Sequence, residues 1–211
     1  MKEIREDRRT NVLRPADIVA GVLIGGQSRR MGVDKASLRL PDGATMLEHV
    51  VNIARCVAGE VVLLGNLRDL PAAIREVRVL PDPTDGKGPA AGLVSLLNHA
   101  GKRWGLLLAC DLPRLSVDSL RPLLPCLSDD VDAVAYLESD APTCFQACCA
   151  FYHPRILAEV HHELNAGRGC LQNVLARVRV RAVPMIPFVR DAIVDVDTPE
   201  DWNAIMKRKD S

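Results

Sequence analysis

The sequence predicts a single-domain α/β protein with a doubly wound, mainly parallel sheet. Three observations carry this. Strand-like and helix-like segments alternate through the first half of the chain. Glycine or aspartate follows several of the apolar strand runs, where such sheets bind ligands. The length, 211 residues, suits one domain with a sizeable core.

The elements follow in order. Residues 18–24 (IVAGVLI) are a short apolar run ending in Gly25-Gly26, a buried strand that meets a glycine loop. Residues 45–57 carry Met46, Leu47, Val50, Ile53, Ala54 and Val57 at the spacing of an amphipathic helix. Residues 60–64 (EVVLL) are the next strand, closed by Gly65-Asn66. A short helix over 72–76 and a weak strand over 77–80 lead into Pro81-Asp82-Pro83 and the loop 84–89. A helix over 90–99 precedes the strongly apolar strand 104–110, which runs into Asp111-Leu112-Pro113. Ser116 is placed to cap a helix reaching Leu124, irregular at Pro122. Strands are expected over 132–137 and 145–152. A helix over 154–165, with its proline near the first turn, and a short helix over 171–176 follow. Residues 178–183 and 192–196 read as strands. The last helix starts at Thr198-Pro199-Glu200-Asp201, with a cap, a first-turn proline and acids at the positive dipole end.

Composition narrows the function classes. Hydrophobic residues make up 48% and charged residues 26%, a globular mixture, while aromatics are only 3%, so the core rests on Leu, Val, Ile and Ala. Basic and acidic residues balance at 27 each, which gives no global pull toward nucleic acid or an anionic membrane. No apolar run is long enough to span a bilayer. Residues 1–15 mix both charge signs and read as a flexible tail. No signal-peptide core follows them, and the cytoplasm is the expected location. The 7 cysteines form no disulfide framework. Cys144, Cys148 and Cys149 cluster and invite a metal. With no CxxC pair, and Cys170 far along the chain, buried reduced thiols are the preferred reading.

Three stretches have the residue types for phosphate chemistry. The first is LIGGQSRRMGVDK, residues 23–35. Gly25 and Gly26 let backbone N–H groups approach an oxyanion, and Arg29, Arg30 and Lys35 add charge for a polyphosphate. It is neither a Walker A loop nor a dinucleotide fingerprint. The bland alternative is an ordinary turn with solvated arginines. The second is Asp111, a carboxylate after a buried strand and a candidate Mg²⁺ ligand, or else a turn cap. The third is Asp195-Val196-Asp197. As a strand it would put both carboxylates on one face, to join Asp111 at a metal or to cap the following helix, the preferred reading. His161-His162-Glu163 lacks metalloprotease spacing and reads as a helix surface. Ser28 has no nucleophile-elbow pattern. Arg168, between Gly167 and Gly169, is placed either to meet a substrate phosphate or to be solvated.

Taken together, LIGGQSRRMGVDK, Asp82 ahead of GKGPAAG (86–92), Cys110-Asp111-Leu112-Pro113 and DVDTPED (195–201) resemble the molybdenum cofactor guanylyltransferases, within the nucleotidyltransferase superfamily. The likeness runs from about Ala20 to the final helix. It implies a Rossmann-like nucleotidyltransferase domain over 16–211. The implied substrates are GTP and molybdopterin, with Mg²⁺ as cofactor and the guanine dinucleotide cofactor and pyrophosphate as products. It places Leu23, Ile24, Gly25, Gly26, Lys35, Asp82 and Asp111 at the nucleotide. Lys35, Asp111 and Arg30 would be catalytic. Asp111 would hold the metal, with Asp197 a further candidate, and Arg168, Asp195 and Asp197 would face the acceptor. A molybdoenzyme or a cofactor-biosynthesis protein is an implied partner. The family usually has alanine where this chain has Ile24, whose side chain either reshapes the base pocket or enters the core. Aspartates at 195 and 197 also occur in cytidylyl relatives, so a CTP-dependent molybdopterin cytidylyltransferase is one alternative. A sugar-phosphate nucleotidyltransferase is another, and a non-catalytic nucleotide- or cofactor-binding accessory protein is a third, of a different class.

Overall fold

The structure is a computed structural model that describes residues 14–24, 38–66, 70–83, 88–138, 144–196 and 198–207. Seven strands form one sheet: β1 (Ile18–Leu23), β2 (Glu60–Leu64), β3 (Arg78–Leu80), β4 (Trp104–Ala109), β5 (Ala133–Leu137), β6 (Phe145–Tyr152) and β7 (Val180–Pro184). Their order is β3-β2-β1-β4-β6-β5-β7. All neighbours are parallel except that β6 runs antiparallel to both β4 and β5.

The helices are α1 (Met46–Arg55), α2 (Pro89–Ala100), α3 (Val117–Leu120), α4 (Leu157–Asn165), α5 (Leu171–Leu175), α6 (Pro187–Ala192) and α7 (Pro199–Lys207). Alternation along β1 splits the core. Ile18, Ala20, Val22 and Ile24 pack on the face covered by Leu47 and Val50 of α1, Leu120 of α3 and Val189 of α6. Val19 faces the other way, to the layer made by Leu93 and Leu97 of α2, Val160 of α4 and Leu171 of α5. Sheet and helices thus form three layers, and the burial of Leu, Val, Ile and Ala on both sheet faces is the main stabilising term.

Local chemistry fixes the ends of the elements. Thr45 caps α1: its hydroxyl accepts from Glu48 N at 3.2 Å, and the Glu48 carboxylate accepts from Thr45 N at 2.7 Å. At α7, Thr198 Oγ1 accepts from Asp201 N at 3.1 Å and Asp201 Oδ2 accepts from Thr198 N at 2.8 Å. The region expected as a helix from Ser116 to Leu124 becomes α3 followed by a 3-10 helix over Arg121–Cys126, because Pro122 and Pro125 lack the N–H groups an α-helix needs.

One strand expectation is corrected. Residues 192–196 form no strand. Ala192 ends α6, which has Pro187 in its first turn and Val189 and Ala192 buried three residues apart, and residues 193–196 follow it without regular structure. Beyond it Val196 is buried and its N–H reaches the Asp111 carbonyl at 3.2 Å, one bond rather than a ladder. Asp195 therefore lies on no strand, and Asp197 lies outside the described residues. Thr198 and Asp201 close the cap of α7.

Candidate active site

The strand order places the site. From β1 the chain moves outward to β2 and β3, then α2 carries it back across β1 to β4. The carboxyl ends of β1 and β4 therefore flank the point where the order reverses, the usual ligand crevice of an open α/β sheet. Leu23, Ile24 and Asp111 stand there. The loop with Gly25, Gly26, Ser28, Arg29, Arg30 and Lys35 begins at the end of β1 and lies outside the described residues.

On the β1 side, Ile24 N donates to Leu64 O at 2.9 Å, and the Ile24 side chain is buried in the core with Ala20, Val22 and α1. Of the two placements open in the sequence, the core is the one observed. Leu23 lies under α2 at Gly92, where an added Cβ would sit 2.6 Å from Leu23 Cδ2 and 3.7 Å from Asp82 Oδ1. The small residue thus lets α2 approach the ends of β1 and β2 and brings Asp82 to the same place. Ser95 of α2 also donates to the Pro81 carbonyl at 2.8 Å, which anchors the turn carrying Asp82.

On the β4 side a cleft of about 640 Å³ opens beside Asp111. Its wall includes Asp195, Cys148, Glu138, Gln146 and Arg190, with Phe145 and Met185 among its apolar members. Asp111 and Asp195 come together here. Burial first, and then both carboxylates, push the Cys148 thiol up to about 11, so it stays protonated at neutral pH. Two carboxylates beside a crevice suit Mg²⁺, which takes hard oxygen ligands and commonly completes its shell with phosphate and water. Among the described residues no group of three or more His, Cys, Asp or Glu side chains converges as a metal cage.

Arg168 stands apart from this wall. Its Nε and Nη2 donate to the two carboxylate oxygens of buried Glu163, at 2.9 and 3.1 Å. Asn173 Nδ2 donates to the same Glu163 at 2.7 Å, and Arg177 approaches it at 3.6 Å. Glu163 is thus a buried hub rather than the helix surface the sequence suggested, and the Arg168 and Asn173 hydrogen bonds hold its carboxyl below the usual range. The carbonyl of Gly169 lies 3.6 Å from where a Cβ on Gly88 would stand, so the Arg168 loop abuts the start of α2. Cys149 is buried, Cys144 and Cys148 are partly buried, and Cys170 is exposed.

Sequence reading missed Glu138, Gln146 and Arg190. None belongs to a motif, and only strand pairing and the unexpected α6 bring them to one cleft.

An α/β sheet with its crevice at the β1/β4 reversal and carboxylates beside it is the framework of a nucleotidyltransferase, an enzyme class that the comparisons bear out. A family model described as the MobA-like NTP transferase domain matches residues 20–182, and the chain belongs to that family. A relative from Synechococcus elongatus, named probable molybdenum cofactor guanylyltransferase, is 35% identical over 90% of this chain and 98% of its own length. A molybdenum cofactor guanylyltransferase from Desulfosudis oleivorans is 28% identical over 92% of this chain and 93% of its own. Among solved structures, molybdopterin-guanine dinucleotide biosynthesis protein A from Archaeoglobus fulgidus superposes with a TM-score of 0.74. At 21% identity over 91% of this chain and 98% of that one, it shows the shared fold.

Proposed function

We propose that this enzyme transfers GMP from GTP to the terminal phosphate of molybdopterin, with Mg²⁺ as cofactor. The observation that carries the reading is the position of Asp111. It stands just past the carboxyl end of the central β4, with Leu23, Ile24 and Asp82 toward the β1 side and an open cleft toward β6 and β5. A carboxylate between two ligand spaces suits a reaction that joins two phosphates.

In that reaction an oxygen of the acceptor phosphate bonds to the α-phosphorus of GTP. The bond from the α-phosphorus to the bridging oxygen breaks, and that oxygen leaves with pyrophosphate. No protein nucleophile is needed, so the residues act by positioning and by electrostatics. Gly25 and Gly26 give the triphosphate backbone N–H groups, Asp82 contacts the nucleoside, and Lys35 and Arg30 neutralise charge growing toward the leaving group. Asp111 would hold Mg²⁺, with Asp195 and Asp197 as further carboxylates at the acceptor side. When bound, the metal withdraws charge from the phosphate oxygens. Arg168, already paired with Glu163, has an acceptor role only if Arg168→Ala raises the acceptor KM while GTP affinity stays the same.

The cleft beside Asp111 is the acceptor site in this reading. A molybdoenzyme that receives the product is the implied partner and the cytoplasm the expected location. No helix among the described residues is long and apolar enough to cross a membrane. The direct test is binding of GTP, CTP, ATP and UTP with and without Mg²⁺, followed by transfer to molybdopterin. A Mg²⁺-dependent preference for GTP with dinucleotide formation supports the reading. A preference for CTP moves the product to the cytosine dinucleotide, and binding of none of the four removes the transferase reading.

A further inference from the structure

We propose that Glu138 and Arg190 orient the acceptor in the cleft. Glu138 takes the donor edge of a 2-amino-4-oxopyrimidine ring, and Arg190 takes the phosphate at the other end. The proposal rests on the cleft being the acceptor site.

Electrostatics set the phosphate end. The described lining residues include three carboxylates, on Asp111, Glu138 and Asp195, and one cation, Arg190 of α6. A phosphomonoester dianion is repelled by each carboxylate, so its favourable position is beside the guanidinium, whose planar fork suits phosphate oxygens. Arg190 and Asp111 line the same cleft, so this position serves the bond to be made.

Hydrogen bonding sets the ring end. Glu138 follows β5, and its backbone N–H donates to Cys144 O at 2.9 Å, tying it to the start of β6. Gln146 Nε2 donates to Glu138 Oε1 at 2.7 Å, which fixes the plane of the carboxylate. Behind it Gln172 bonds both backbone groups of Phe145: it accepts from Phe145 N at 3.1 Å and donates to Phe145 O at 2.6 Å. The wall is therefore braced before a ligand arrives. An ionised carboxylate only accepts and has about four lone-pair sites, so the bonds from Gln146 and the Cys144 thiol leave room for others. The pterin ring of the acceptor offers an amino group beside a ring N–H, two near-parallel donors that match two carboxylate oxygens. Phe145 and Met185 supply apolar surface for the ring face.

Guanine has the same pair of donors, so the test must separate base from acceptor. The sheet order favours the acceptor, because Glu138 lies beyond β4 and β6 from Leu23 and Asp82.

The experiment titrates wild type, Glu138→Gln, Gln146→Ala and Arg190→Ala with two probes, 6-hydroxymethylpterin and its phosphate monoester, read by pterin fluorescence. Affinity for GTP with Mg²⁺ is measured in parallel, and thermal melting checks the fold. The near-isosteric Glu138→Gln turns one acceptor into a donor that faces the ring's own donors. Both probes should weaken about tenfold with GTP unchanged, a loss expected for a charge-assisted pair. Gln146→Ala keeps the carboxylate and loses its tether, and should weaken both probes by less. Arg190→Ala should abolish the advantage of the ester over the alcohol and leave the alcohol unchanged. Wild-type probe binding by Glu138→Gln, or a surviving ester advantage in Arg190→Ala, overturns the proposal. So does a Glu138→Gln loss that appears in GTP affinity, which would put guanine at this wall. If wild type binds GTP and neither probe, the acceptor reading itself falls.

Discussion

Gly92→Ala tests whether the close approach of α2 shapes the nucleotide side of the crevice. Alanine is the better helix former by about 1 kcal/mol. Its methyl would meet Leu23 Cδ2 at 2.6 Å, Leu64 Cβ at 3.4 Å and Asp82 Oδ1 at 3.7 Å. The first distance requires movement, and the other two are ordinary contacts. Extra methyl groups in packed sites cost about 1–3 kcal/mol. Here the clashing atom is the far end of a flexible, partly buried leucine, so the low end of that range applies. The two terms nearly cancel, and global stability should change by less than about 1 kcal/mol. In the proposed reaction Leu23 and Asp82 stand on the nucleotide side, so the cost of displacing Leu23 should emerge in binding instead. GTP affinity should fall about tenfold, equal to about 1.4 kcal/mol. Denaturant melts and titration calorimetry with GTP and Mg²⁺ measure both quantities. Wild-type affinity together with a stability gain of about 1 kcal/mol would refute the reasoning, since the methyl would then fit without moving either neighbour.

Other perturbations test different parts of the structure. Asp111→Ala should lower transfer by about 10²–10³-fold or more with the melting temperature preserved, and normal turnover would remove the carboxylate from the site. Tyr136→Phe removes the buried hydrogen bond from Tyr136 Oη to Ser119 O, 2.7 Å long. The expected loss is about 1–2 kcal/mol, or about 2–8 °C in melting temperature, and an unchanged melt would mean that water replaces the hydroxyl. Asp132, 12% exposed at its side chain, is bound by Arg179 at 3.0 and 2.9 Å, and this pairing holds its carboxyl below the ordinary value of 3.8. A lowered folded-state value means that the contribution is complete above the unfolded value and lost as pH falls through the folded one. The stability gap between wild type and Asp132→Asn should therefore narrow as pH drops from about 5 toward 2, and a gap independent of pH would contradict the ion pair.

The strand-end positions of Asp82 and Asp111 were legible because Asp111 follows the apolar run 104–110 and Asp82 the weak strand 77–80, and open α/β sheets bind ligands at such ends. Glu163 was not. Its neighbours His161 and His162 are exposed, and a glutamate beside them reads as surface. Yet Val160, Glu163 and Leu164 share the inward face of α4, and the charge is accommodated by arginines that come from later in the chain. The failure at residues 192–196 has a similar origin. Five residues, apolar but for Asp195, carry too little periodicity to separate a strand from the end of a helix. The strand reading met α6 only at Ala192, and residues 184–191, with Arg190 among them, were assigned no element. Glu138 and Gln146 meet only through the pairing of β5 with β6, whose register shifts between Ala135 and Leu137, an irregularity that alternation does not announce.

The charge balance of the site follows from the same geometry. With 27 basic and 27 acidic residues the chain has no long-range field to draw in two polyanions, so neutralisation must be local. Arg168 is already committed to Glu163, and the described cleft lining has Arg190 as its one cation against three carboxylates. Arg190 can serve one phosphate, not a triphosphate as well. In the proposed reaction the triphosphate would then draw on residues that follow β1 in the sequence, namely Arg29, Arg30 and Lys35, together with Mg²⁺ held by Asp111. This division predicts that Lys35→Ala and Arg30→Ala weaken GTP binding and transfer, while Arg190→Ala acts on the acceptor with GTP binding intact. Loss of GTP affinity in Arg190→Ala would mean that one arginine spans both ligands, and that the two sides of Asp111 are not separate sites.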